Sequence, residues 1–185
     1  MNTARLVTAL ILATTACAQV RQASPQHARL AQQVGVWDAA VEYVDIRTGK
    51  PARTTGTSVQ RQPLGSFWLI NNFEASLMGA PFRCMKTTGY DPVKKKLVGT
   101  WIDSMTPGMT VLEGSWDKGH KVMTMSGAGM DRQGRAAEVR LVTSILSEDQ
   151  HVSEMFTKTQ GGDETKTMTI TYTRRNRKMD KVRDR

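Results

Sequence analysis

Cysteine is nearly absent from this sequence, two in 185 residues, and histidine numbers only three. So few soft or imidazole ligands exclude a disulfide framework and leave little material for a zinc cluster. No apolar run reaches membrane-spanning length, and there is no G-x-S-x-G, no phosphate-cradling glycine loop after a strand and no glycine-rich dinucleotide fingerprint. Nucleophilic and nucleotide-dependent catalysis therefore have no support in the sequence. What is there, 39% hydrophobic and 23% charged residues, is an ordinary globular balance, which argues against repeats, collagen and wholesale disorder. The length suits one domain.

The formal charge of +9 is unevenly placed. Residues 174–185 carry seven basic and two acidic side chains, and Arg5 adds one more in a leader-like segment, so the body keeps +3. The tail lacks aromatics and apolar periodicity and is read as disordered and solvated, with an anionic envelope surface as its candidate partner. Nucleic acid is not expected as a partner.

Arg5 precedes the apolar run Leu6 to Ala13, which is too short to span a bilayer and gives way at once to small residues. Residues 1–18 are thus expected to be a signal peptide, cleaved after Ala18, giving a periplasmic or secreted protein without a transmembrane helix in the mature chain. Lipidation of Cys17 at a degenerate lipoprotein box is the alternative. Either way Cys84 has no internal partner, and as a lone strand cysteine it is assigned packing rather than reactivity.

Residues 19–34 read as a linker and a short helix, with Leu30 and Val34 four apart. From Val36 the period becomes two: Trp37, Ala39, Val41 and Tyr43 alternate with polar positions, as in a half-buried strand. Further strands are expected at residues 54–61, 67–74, 82–90, 96–105, 109–116, 121–126, 137–146, 151–157 and 166–174, with turn residues in almost every gap, Gly127-Ala128-Gly129 among them. About ten short strands in sequence order, with no long crossing connection, predict an all-β, up-and-down antiparallel barrel over residues 35–175 rather than a sandwich.

Gly35-Val36-Trp37 on the first strand and Arg174 after Tyr172 on the last resemble the calycin superfamily, in which an arginine packs over a G-x-W tryptophan to close the barrel. Arg175 is a rival for that role. A broader likeness covers Pro63 to Phe67, Gly89-Tyr90-Asp91, Thr100 to Met105 (TWIDSM) and Ile170 to Arg175 (ITYTRR). In order and spacing these blocks are similar to the bacterial domain-of-unknown-function family 1579. The resemblance implies a lipocalin-like barrel and no particular activity, and it does not extend to the tail after Arg175.

Trp101 and Asp103 share one strand face, beside Met105, and with Tyr90 form the candidate lining of a site for a small apolar or amphipathic ligand. Against this, Trp101 could be core and Asp103 a turn cap. A buried carboxylate needs a partner, for which Arg140 and Lys86 are available. His151 and Glu154 are three apart and so project to opposite faces of a strand, which argues against a metal or acid/base pair. Haem held by His151 alone is a minority idea. The methionines Met105, Met109, Met123, Met125, Met130 and Met155 could line an adaptable pocket or fill a core. No catalytic residue, metal ligand or cofactor is assigned. The alternatives to ligand binding are a packed structural or interaction module of the envelope, and a barrel enzyme using Asp103 or Glu154 as acid or base.

Overall fold

The computed structural model describes residues 22–175; the expected leader (1–18) and the basic tail (176–185) lie outside them. Within that span a short helix α1 (Pro25–Leu30) and a 3-10 turn (Ala31–Gln33) precede ten strands: β1 (Gly35–Asp45), β2 (Lys50–Leu64), β3 (Trp68–Leu77), β4 (Ala80–Asp91), β5 (Lys96–Asp103), β6 (Thr110–Trp116), β7 (Val122–Met130), β8 (Ala136–Ser147), β9 (Gln150–Thr159) and β10 (Thr165–Arg174). Each strand pairs antiparallel with its sequence neighbour, and β1 also pairs with β10, Trp37 opposite Arg174 and Tyr43 opposite Met168, so the sheet closes on itself. The protein is thus an all-β, closed, ten-stranded antiparallel barrel with one short N-terminal helix.

The alternation on β1 is what the barrel wall requires. Trp37, Ala39, Val41 and Tyr43 are buried while Asp38, Ala40 and Glu42 face out. Many turns between strands are shaped by an aspartate that accepts backbone N–H bonds: Asp91 from Val93 and Lys94, Asp117 from Lys121 and Val122, Asp131 from Gln133 and Arg135.

Gly127-Ala128-Gly129 is not the turn expected of it. It lies inside β7, paired with Glu138 and its neighbours on β8. The reason is proximity: a Cβ on Gly127 would sit 1.9 Å from the carbonyl oxygen of Val111 on β6. Without a side chain here, β7 can approach β6 this closely.

The two ends of the barrel differ. At one, α1 and the 3-10 turn lie across the opening. Leu30 is fully buried against Leu69, Leu97, Leu112 and Met123. His27 accepts at Nδ1 from the Ser24 N–H (3.0 Å), which leaves Nε2 to donate to the Tyr90 carbonyl (3.1 Å). The opposite end is ringed by the β1–β2, β3–β4, β5–β6, β7–β8 and β9–β10 turns and has no such cover among the described residues. Among those residues, no helix is long and apolar enough to cross a membrane.

Candidate functional site

At the covered end, the Arg174 guanidinium lies 4.0 Å from the centre of the Trp37 ring. It donates to the carbonyls of Val34 (2.6 Å), Gln32 (2.9 Å) and Glu148 (3.0 Å), while Trp37 Nε1 donates to Gln33 O at 2.9 Å. The rival, Arg175, faces the outside and donates from Nε to Asp38 at 2.9 Å.

The open end leads into a cavity of about 370 Å³. Its apolar walls come from Phe82 on β4, Trp101 on β5, Met130 on β7, Met155 on β9 and Met168 on β10. Of the four ligand-lining residues expected from the sequence, Trp101, Asp103 and Met105 meet here. Tyr90 does not join them. It lies toward the covered end, opposite Leu97 and 5.9 Å from the His27 ring, packed with the lower core. Strand parity gave its face but not its depth along the barrel.

Asp103 combines the two roles that the sequence left open. Its Oδ2 accepts from Trp101 Nε1 at 2.8 Å, and its Oδ1 accepts from the N–H groups of Met105 and Thr106, both at 2.8 Å. It therefore caps the turn after β5 and fixes the indole that forms the cavity wall. Neither expected cation is its partner: Arg140 sits outside, paired with Glu164 and stacked 4.0 Å from the Phe156 ring, and Lys86 makes no ion pair among the described residues. Two further charges line the mouth. Asp131 is held by the backbone N–H and the guanidinium of Arg135. Burial by itself would raise its carboxyl, but these bonds outweigh burial and keep it below the usual range. Arg132 donates from Nη1 to Val44 O at 3.1 Å, while its Nη2 is buried without a hydrogen-bond partner among the described residues.

Deeper in the barrel the interior turns polar. Ser58 donates to Asn71 at 2.8 Å, and Thr143 and Ser153 share a hydrogen bond of 3.0 Å. Lys86 is 5% exposed, between Asn71 and Trp101 in the strand register. The sequence offers it only as a possible partner for Asp103, with its facing open, although it shares its strand face with Phe82 and Cys84. That parity was the available signal for an inward lysine. Cys84 itself is buried, and its thiol is pushed well up by burial.

His151 points inward and Glu154 outward, where Glu154 meets Lys166 at 2.9 Å. The His151 ring is enclosed by Tyr172, stacked at 4.5 Å, and by Trp37, edge-on at 4.3 Å, and its Nε2 faces Gln60 Nε2 at 3.3 Å. Burial, helped by the charges of Lys86 and Arg174, drives its pKa down to about 3. With Tyr172 stacked on the ring, Trp37 edge-on against it and Gln60 at Nε2, His151 leaves no room for a haem plane and does not fit an axial haem ligand. Among the described residues no three His, Cys, Asp or Glu side chains are grouped to hold a metal ion. The methionines divide between the two roles considered: Met123 and Met125 are core, Met105, Met130 and Met155 line the cavity, and Met109 is exposed.

Residues 22–174 match a family described as "Protein of unknown function (DUF1579)". No curated protein matches the chain. Among solved structures, the crystal structure of Rv2717c from M. tuberculosis is similar with a TM-score of 0.64 at 12% identity, covering 84% of this chain and 100% of that one. At that identity the likeness shows the fold alone.

Proposed function

Because the chain belongs to the DUF1579 family, whose description assigns no activity, its function has to be argued from its own geometry, and we propose that it is a lipocalin-like container for a small apolar or amphipathic molecule. One observation carries the reading: the cavity of about 370 Å³ at the uncovered end falls in the size range of small-ligand sites, roughly 300–1,000 Å³. Its composition agrees, with thioether and aromatic walls and a few fixed polar groups at Asp103, Asp131 and Arg132. Trp101, Asp103 and Met105 are the lining residues assigned to it, and Trp37 with Arg174 closes the far end.

The leader-like segment supports export to the periplasm or beyond, or anchorage through a lipidated Cys17. The basic tail supports contact with an anionic envelope surface. Native mass spectrometry of the mature protein, followed by organic extraction, should reveal a bound small molecule or accept one from an added lipid extract. A chain that stays at its sequence mass under both treatments would sink the container reading. The second reading, an interaction module of the envelope, is favoured by the solid packing of the covered half. Deleting residues 176–185 separates the two, since cavity binding should survive the deletion while envelope association should fall.

A further inference from the structure

An ammonium group sealed inside a barrel is unfavourable unless something negative or strongly hydrogen-bonding meets it. Lys86 is such a group. It projects inward from β4, is 95% buried on the complement of its 5% exposure, and has no ion-pair partner among the described residues. The charges and titratable groups near it do not supply one. The Asp103 carboxylate is committed to Trp101 Nε1 and two backbone N–H groups. The Glu154 carboxylate is committed to Lys166 on the outer face. Cys84 is held as a thiol by burial, Tyr172 as a phenol, and His151 as a neutral ring.

Lys86 lines a small internal cavity of about 20 Å³ with Asn71, Thr143, Ser153 and Tyr172. Those neighbours can donate as well as accept. Thr143 and Ser153 bond to one another through a single proton, so the pair retains a second hydroxyl proton to offer. Trp101, Met155 and Met168 line both this cavity and the larger one at the mouth. Methionine is unbranched and has three rotatable bonds, so rotation of Met155 and Met168 would join the two spaces at little cost. Asp103 holds the indole still while they move. The result is a path that is apolar near the mouth and ends at a cation ringed by hydroxyl and amide groups.

Resting on the container reading, we propose that Lys86 is the head-group site of the barrel, binding the carboxylate of an amphipathic acid whose hydrocarbon part occupies the cavity toward the mouth. The carboxylate supplies the charge that the protein itself withholds. Its second oxygen meets the Thr143–Ser153 hydroxyls.

The test is isothermal titration calorimetry of the full chain near neutral pH with decanoate and with decanol, using the wild type, Lys86→Met and Lys86→Gln. Circular dichroism establishes that each variant is folded. Wild type should bind the acid about tenfold or more tighter than the alcohol of equal length, the worth of a buried charge-assisted contact. In both variants the two affinities should converge. Should Lys86→Met fail to fold, Lys86→Gln alone decides. Equal binding of acid and alcohol by wild type, or an acid preference that persists without the lysine, would overturn the Lys86 assignment and leave the container standing. Binding of neither ligand to folded wild type, together with an empty result in the extraction experiment, would bring down the container reading itself.

Discussion

A buried cation without a partner leaves a signature in the pH dependence of stability. Burial pulls the Lys86 ammonium from its ordinary 10.5 down to about 8, so between those values the unfolded chain holds a proton that the folded chain has released. Stability must then rise with pH across that window. From about pH 8 to about pH 9 the gain is about 1 kcal/mol. Above that, Cys84 and Tyr172, whose buried side chains resist ionisation, bring an opposing slope. Urea titrations at the two pH values should show the gain in wild type and its loss in Lys86→Met. His151 acts in the acid direction. With its folded pKa near 3, it takes no proton where the unfolded imidazole does, so stability falls as pH drops through about 6.5, by up to about 1.4 kcal/mol per unit. His151→Phe should flatten that slope. The sequence placed both residues on strands but left the facing of Lys86 open. It could not give their enclosure, because a lysine on an inward face can reach out to water in one barrel and be sealed in another.

Strands were the most legible elements. The β1 pattern can be read directly because Trp37, Ala39, Val41 and Tyr43 alternate with polar residues. β7 was the least legible. Its Gly127-Ala128-Gly129 stretch carries no side-chain period, and glycine marks a turn and a tight strand contact alike. The difference lies in another strand, the Val111 carbonyl oxygen 1.9 Å from where a Cβ would stand. Gly127→Ala should therefore force β6 and β7 apart and cost about 2 kcal/mol or more, read as a shift of the denaturation midpoint. The same residue in a turn would bear the change easily. The aspartates at the strand ends were expected as turn formers, and Asp103 fills that role while also holding Trp101.

The whole molecule is a ring that must be fastened where its two ends meet. Arg174 does much of this, since one guanidinium joins β10 to the carbonyls of Gln32 and Val34 ahead of β1, to Glu148 O in the β8–β9 turn, and to the Trp37 ring. Arg174→Ala removes charge-assisted bonds and a cation–π contact together and should cost about 3 kcal/mol. Because the cavity opens at the opposite end, ligand affinity in the folded variant should stay near that of wild type. Chemical denaturation and calorimetry on the same preparation separate the two effects. The fastening and the proposed binding cavity thus lie at opposite ends of the barrel, with Tyr90 among the packing and Trp101 in the cavity wall.

Residue order alone determined that the chain is an all-β barrel of about ten strands with a short helix before it, and that Trp101 shares a face with Asp103. Strand alternation and turn chemistry are local properties, whereas closure was inferred from the number and order of the strands and is made by β1 pairing with β10 across the whole chain. Tertiary structure decided what each inward face meets: Asp103 with backbone N–H groups rather than a cation, Tyr90 beneath the helix, His151 between two rings, and Lys86 among hydroxyls without a carboxylate. Depth along a barrel and the identity of a side chain's opposite number depend on how strands distant in sequence are staggered. Alternation along a single strand carries no record of that stagger.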